Sequence, residues 1–128
     1  MRIDIDRGEP LIVLPVGLVG KSAKYIVNMA LDTGATFVMI PWDVAERLGY
    51  DPTTCEERIA ITTASTVEKV PIITLEEVNV LGHSLKNVKV VVHDLPPKSR
   101  VDGLLGLSYL TEFNLKLMFK KGYLELNE

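Results

Sequence analysis

The sequence has too few cysteines and histidines for a disulfide or a zinc site. Cys55 is the only cysteine in 128 residues, so no intrachain disulfide can form. Because disulfides are rare in reducing compartments, this favours a cytoplasmic protein. His83 and His93 have no second ligand at zinc-binding spacing, and no base is indicated near Cys55. We therefore expect no metal, no cofactor and no cysteine nucleophile.

The sequence also lacks a long hydrophobic run and a basic cluster. The longest apolar run, Leu11 to Gly20, is about half of the roughly 20 residues that span a bilayer. Acidic residues precede it where a secretory signal would be basic, so we interpret it as a strand and expect no membrane partner. The net charge is −3, and the densest basic cluster is only Lys120-Lys121. This argues against a nucleic-acid partner.

What the sequence does contain is typical of one globular domain. Apolar residues make up 47% and charged residues 24% of the chain, a balance that supports a packed core. A length of 128 residues suits a single domain spanning residues 1–128. No linker, repeat or low-complexity tract interrupts it.

Hydrophobic patterning predicts a mainly β protein. Apolar or alternating segments bounded by turn residues are typical of strands, and they predict strands at Leu11–Leu18, Tyr25–Leu31, Phe37–Ile40, Arg58–Thr63, Val67–Leu75, Glu77–Leu81, Asn87–His93, Asn114–Phe119 and Tyr123–Leu126. Pro41–Leu48 is predicted to be a short helix with Val44, Ala45 and Leu48 on one face and Gly49 at a left-handed end, and Gly106–Phe113 to hold one or two helical turns. In Asn87–His93, Val88, Val90 and Val92 are predicted to form one face. Pro71, inside Val67–Leu75, indicates a sheet edge or a bulge. The order of these strands and helices predicts a small closed or orthogonally packed β-barrel with one or two short helices.

The most informative stretch is Ala30-Leu31-Asp32-Thr33-Gly34-Ala35-Thr36. It places a carboxylate at the end of an apolar strand, followed by a hydroxyl residue and a glycine. Gly34 allows close backbone approach, which brings N–H donors near the carboxylate. An aspartate that merely caps a turn would have the same local sequence. The flanking apolar residues leave the capping and catalytic interpretations about equally supported.

A second segment, Val101-Asp102-Gly103-Leu104-Leu105-Gly106-Leu107, follows about seventy residues later. Taken alone, it indicates a buried strand that ends where a helix begins. Its position after the Asp32 segment makes it part of a longer pattern. The order of these segments resembles the pattern of retropepsin-like aspartic proteases. In that pattern, two apolar residues precede Asp-Thr-Gly-Ala and a strand, and two further apolar residues and a glycine then precede a short helix. The family includes retroviral proteases and stand-alone cellular and prokaryotic members. The resemblance extends from Pro10-Leu11-Ile12-Val13 to the final hairpin.

The resemblance implies roles for particular residues. Asp32 would be the catalytic aspartate, Thr33 would hydrogen-bond across a dimer axis, and Gly34 would complete the motif. Ala35 would support the active-site loop, and Leu104-Leu105-Gly106 would pack behind it. The turn at Ala64-Ser65-Thr66 would be the tip of a flap that closes over substrate. Flaps of this family usually carry glycine near the tip, whereas this chain has none between Gly49 and Gly82.

Peptide hydrolysis by this route needs two carboxylates, and the chain has a single Asp-Thr-Gly. Asp102 is followed directly by Gly103 and not by a hydroxyl residue and then a glycine. We therefore expect Asp102 to have a role in loop structure and not to be the second catalytic carboxylate. We therefore expect a homodimer that cleaves a peptide or protein substrate, with each copy contributing Asp32. Two alternatives remain at this point: an inactive module of the same fold that binds peptides or dimerises, and an unrelated ligand-binding β-barrel.

Overall fold

The computed structural model describes residues 1–62 and 65–128. Over these residues the chain forms ten strands, two short helices and one 3-10 turn at Pro52–Thr54. The strands are β1 Arg2–Asp4, β2 Val13–Val19, β3 Lys24–Leu31, β4 Val38–Ile40, β5 Arg58–Thr62, β6 Val67–Val80, β7 His83–Val92, β8 Leu104–Leu105, β9 Asn114–Met118 and β10 Tyr123–Asn127. The helices are α1 Trp42–Arg47 and α2 Leu107–Leu110.

Six of the strands pair in a closed circuit. The order is β2-β3-β8-β4-β7-β6, and β6 pairs back onto β2 through Val16↔Val80 to Val19↔Glu77. Closing the circuit gives each of these strands two neighbours, which removes exposed edges from the barrel. The prediction of a mainly β chain with a small closed barrel is confirmed.

The barrel core follows from alternation along the strands. In β2, Leu14, Val16 and Leu18 are buried, while the residues between them face outward. The predicted apolar face of β7 (Val88, Val90, Val92) is also buried. Full burial of such side chains contributes about 1.5–3 kcal/mol each, so this face stabilises the barrel on which the candidate site is built.

Helix α1 closes one end of the barrel. Val44, Ala45 and Leu48, predicted to share a face, are all buried in the core. Gly49 has a φ of +99°, and its N–H donates to the Glu46 carbonyl at 3.0 Å. The predicted helix and its left-handed glycine end are confirmed.

A smaller sheet is formed by the two ends of the chain. Its order is β1-β10-β9, so β10 lies in the middle and pairs with β9 in the predicted final hairpin. β1 was not predicted because two of its three residues are charged and exposed. It becomes a strand only through pairing with β10, which is remote in sequence.

The sequence prediction was wrong about the middle of the chain. Val67–Leu75 and Glu77–Leu81 are not separate strands but belong to the single strand β6. At the expected break between them, Glu76 is exposed and Glu77 is half-buried, so the strand continues without burying a charge. β7 begins at His83, four residues before the predicted Asn87, because Leu81 and Gly82 alone make the turn with φ values of 49° and 83°.

The hairpin predicted around residues 64–66 is confirmed by its register, which runs from Arg58↔Pro71 to Thr62↔Val67. Pro71 lies where β6 leaves its partner β5 and starts to pair with β7 at Ile72. This position fits the prediction that Pro71 marks a sheet edge. Among the described residues, no helix has the length and apolar character needed to cross a membrane.

Candidate active site

Asp32 lies at the end of β3, directly beside the second motif. Ala30 and Leu31 pair in parallel with Leu104 and Leu105 of β8. The Asp32 N–H extends this ladder by donating to the Leu105 carbonyl at 3.1 Å. The fold therefore brings together the two segments that the sequence pattern singled out.

The loop after β3 fixes the Asp32 carboxylate. The Gly34 N–H donates to Asp32 Oδ1 at 2.9 Å, and the Ala35 N–H donates to the Asp32 carbonyl at 3.2 Å. Oδ2 has no hydrogen-bond partner within the described residues. The carboxylate is therefore held through one oxygen, while the other is available for a ligand.

Gly106 allows the second motif to pack closely behind this loop. A Cβ at this position would lie 2.3 Å from the Phe37 carbonyl oxygen and 2.7 Å from that of Ala35. Both neighbours are backbone atoms that cannot swing aside. The Leu107 N–H donates to the Ala35 carbonyl at 2.8 Å, which joins the start of α2 to the Asp32 loop.

Ser108 is a supporting residue that the sequence analysis missed. Its Oγ accepts from the Val38 N–H at 2.9 Å and donates to the Lys89 carbonyl at 2.8 Å. One hydroxyl thus joins α2 to β4 and β7. Nothing in the local sequence distinguishes this serine from a surface one, because its partners lie far away in the chain.

Thr33 and Gly34 are exposed, whereas Asp32 and Ala35 are half-buried. The Thr33 hydroxyl makes no hydrogen bond in the part of the chain that the structure describes. The apolar strand β3 thus ends in a polar loop at the surface. This loop is available to substrate or to a second molecule.

A groove of about 760 Å³ begins at this loop. Its walls are mostly apolar and come from β4, β5, β7, β8 and the residue before β4, namely Met39, Ile59, Ile61, Val91, Leu104 and Phe37. Gly34, Ala35 and Thr36 line it on the side of the Asp32 loop. Strand β5 of the β5–β6 hairpin contributes Ile59 to Thr62 to its lining.

The hairpin approaches the barrel near the groove through a Glu68–His93 contact, which is an ion pair only when the histidine is protonated. Glu68 on β6 lies 3.7 Å from Nε2 of His93, which lines the groove. Their side chains are 48% and 30% exposed, so the pair is worth at most about 1 kcal/mol. Of the predicted flap-tip residues, Ser65 and Thr66 are exposed and lie between β5 and β6. Ala64 lies outside the described residues, as does Thr63.

A second groove is lined by β1 and by the residues that lead into β2. The Leu31 N–H donates to the Ile12 carbonyl at 2.8 Å, and Val13 pairs with Ala30. Continuing this register places Leu11 across from Asp32. Leu11 and Val13 line this groove together with Val101.

Other sequence candidates are placed away from this chemistry. Asp102 is exposed, and its N–H donates to the Asn28 carbonyl at 2.8 Å, which is a loop role. The Cys55 thiol lies 2.6 Å from the Ile72 carbonyl. Among the described residues, no group of three metal-ligating side chains occurs.

Comparisons with known proteins agree with this geometry. A family model described as aspartyl protease matches residues 18–109, which include both motifs. A curated protein from Sinorhizobium sp., described as an uncharacterized protein in the cobV 5' region, is 26% identical over 93 residues. That match covers 72% of this chain but only 39% of the relative's length.

The fold is also similar to a solved structure. The crystal structure of a retropepsin-like aspartic protease from Rickettsia conorii superposes with a TM-score of 0.72 at 25% sequence identity. The match covers 99% of this chain and 89% of that one. Because the family model spans well over half of the sequence and the fold agrees, the chain belongs to the aspartyl protease family and is of the retropepsin-like type.

Proposed function

We propose that the protein is an aspartic endopeptidase whose catalytic centre is a pair of Asp32 carboxylates, one from each copy of a homodimer. The observation that carries the proposal is the placement of Asp32. Its carboxylate is held through one oxygen by the Gly34 N–H, and the residues that follow it, Gly34 to Thr36, line a mostly apolar groove together with strand β5. An aspartate that only caps a turn would not need such a groove beside its loop.

The chemistry requires the two carboxylates to differ in protonation. Two like charges about 3 Å apart cannot both ionise easily, so an aspartic protease pair shares one proton. The ionised carboxylate takes a proton from a water molecule, which attacks the scissile carbonyl carbon. The protonated carboxylate donates to the carbonyl oxygen, and a proton then passes to the leaving nitrogen. The two apparent pKa values belong to the pair and not to either copy.

The chain has a single Asp-Thr-Gly, so the second catalytic carboxylate is proposed to come from a second copy. Asp102 lies on a separate loop and has its own backbone contacts. A twofold axis beside the Asp32 loop supplies an identical carboxylate in an equivalent position, and twofold dimers are the commonest oligomers. The exposed Thr33 hydroxyl supports this arrangement, because it is available to the second copy.

Substrate would bind as an extended peptide. Both grooves offer apolar side chains, such as Leu11 and Val13 in one and Met39 and Ile59 in the other, which favour hydrophobic side chains flanking the cut. The β5–β6 hairpin would close over the peptide backbone and hydrogen-bond to it, as in strand addition. The Glu68–His93 contact would help to set the position of the hairpin.

The test is cleavage of a mixed peptide library between about pH 3 and 7, where a shared proton permits activity. Wild-type protein is compared with Asp32→Asn and with wild type plus a pepstatin-type inhibitor. We expect wild type alone to cut, at sites flanked by apolar residues. Equal cleavage by wild type and Asp32→Asn would overturn the assignment. Folded dimers that never cut would favour an inactive peptide-binding module.

A further inference from the structure

The strand β1 has one free edge. It pairs with β10 through Ile3↔Leu124, and the next hydrogen bonds in this ladder join Ile5 N–H to the Gly122 carbonyl at 2.8 Å and Leu126 N–H to the Met1 carbonyl at 3.0 Å. Backbone groups alternate in direction along a strand. Those of Arg2 and Asp4 therefore point away from β10, toward a side where no described strand pairs.

The side chains on this edge are self-complementary. Arg2 and Asp4 are exposed and of opposite charge, and the half-buried Ile3 lies between them. The Arg2 guanidinium lies 3.7 Å from the centre of the Tyr123 ring, which holds it over the sheet. Charges on an edge usually repel other strands. An alternation of both signs instead attracts a second copy of itself.

Only one symmetric register satisfies both the hydrogen bonds and the charges. Antiparallel pairing centred on Ile3 places each Arg2 opposite the Asp4 of the other copy. These residues have their backbone groups directed outward, so they form the hydrogen-bonded pairs. Centring the axis on Arg2 or on Asp4 would place like charges opposite each other, which destabilises a sheet. Shifting the register by one residue would misalign the donors and acceptors.

We propose that β1 pairs with β1 of a second copy about a twofold axis, so that the two terminal sheets become one six-stranded sheet. This inference rests on the homodimer of the proposed function and identifies the surface that forms it. Ile3, Asp4 and Ile5 line the same groove as Ile12, whose carbonyl accepts from the N–H of Leu31, the residue before Asp32. One axis can therefore pass beside both β1 and the catalytic loop.

The pairing can be tested by exchanging charges between copies. Arg2→Glu places two carboxylates opposite each other twice per dimer, and Asp4→Lys does the same with two cations. Each single variant should therefore dimerise roughly tenfold more weakly than wild type. Mixing the two variants restores opposite charges at both contacts, so heterodimers should form with about wild-type affinity. The double variant should also recover. Sedimentation velocity over a concentration series measures each case.

Rescue by mixing separates pairing between copies from effects within one chain. Loss of the Arg2–Tyr123 contact, for example, cannot be repaired by a second protein. Lys121→Glu is the control: it changes the net charge as Arg2→Glu does, but at an exposed turn, and should leave dimerisation unchanged. Dimers that are insensitive to both Arg2→Glu and Asp4→Lys, or single variants that stay weak when mixed, would overturn the pairing and leave the protease assignment intact. A wild-type protein that is monomeric at every concentration would overturn both the pairing and the homodimer. Loss of cleavage in Asp32→Asn bears on catalysis alone.

Discussion

The Asp32 N–H donates to the Leu105 carbonyl at 3.1 Å, which joins two segments about seventy residues apart in the sequence. Leu105 is fully buried, so the loop that carries the carboxylate is anchored to the core by a backbone bond. The position of the Asp32 carboxylate therefore depends on how closely β8 and the start of α2 approach this loop. Several residues in that contact can be tested separately.

Gly106→Ala is expected to destabilise the fold by about 2 kcal/mol or more, because the new methyl group would collide with two backbone carbonyls. The free energy of unfolding from urea titration measures the effect. Gly17→Ala is the matched control, since a Cβ there would lie an ordinary 3.5 Å from Asn79 Cβ. Equal stability of both variants would contradict the close packing behind the Asp32 loop.

Ser108→Ala is expected to lower the free energy of unfolding by about 1 kcal/mol, because it leaves the Val38 N–H and the Lys89 carbonyl without their partner. Activity should fall as well, since β4 and β7 form walls of the groove. Ser84→Ala provides the comparison: Ser84 is exposed and accepts only from the Asn79 side chain, so its loss should cost less than about 0.5 kcal/mol. An unchanged free energy of unfolding in Ser108→Ala would show that the hydrogen bonds of Ser108 to Val38 and Lys89 do not stabilise the fold.

Stability at high pH is expected to depend on Tyr109. Burial raises the pKa of Tyr109 from 10.0 to about 12, so the unfolded chain loses this proton before the folded one does. The stabilisation that comes from a protonated Tyr109 hydroxyl is therefore fully present below pH 10 and is lost as the pH rises to about 12. Urea midpoints measured from pH 9 to 12 should fall less steeply in Tyr109→Phe than in wild type. Identical slopes would contradict this role for the phenol.

Thr33→Val is expected to weaken the dimer, because the Thr33 hydroxyl would lose its hydrogen bond to the second copy. Each such bond contributes about 0.5–1.5 kcal/mol and occurs once per copy, so the dimer dissociation constant should rise roughly tenfold. Specific activity should then recover at high enzyme concentration. Thr36→Val, at an exposed position on the same loop, should leave the concentration dependence unchanged. The reverse pattern would exclude Thr33 from the interface.

Local patterning predicted the parts of the fold that local physics determines. Alternation in β7 and the apolar face of α1 were correct because each residue's burial follows from the period of its own element. The strand β1 was missed because its stability comes from β10 and not from its own composition. The break expected at Glu76-Glu77 was wrong because charged residues on the outer face do not interrupt a long strand.

The candidate site divides in the same way. Asp32, Gly34 and Leu105 could be predicted because a short, ordered motif encodes their contact. Ser108 could not, since its importance depends on two backbone groups brought together by the fold. The Glu68–His93 contact was likewise invisible in the sequence, because it joins a hairpin to a strand end only after folding.

In the proposed homodimer, two copies each contribute Asp32 to one catalytic centre. The most direct test adds about a nine-fold excess of Asp32→Asn protein to a fixed amount of active enzyme and follows peptide cleavage. If subunits exchange randomly and both carboxylates are needed, activity should fall about tenfold, because most active chains then pair with inactive ones. The same excess of Asp102→Asn protein, whose Asp32 is intact, should raise activity. Cleavage unchanged by Asp32→Asn would contradict a shared centre.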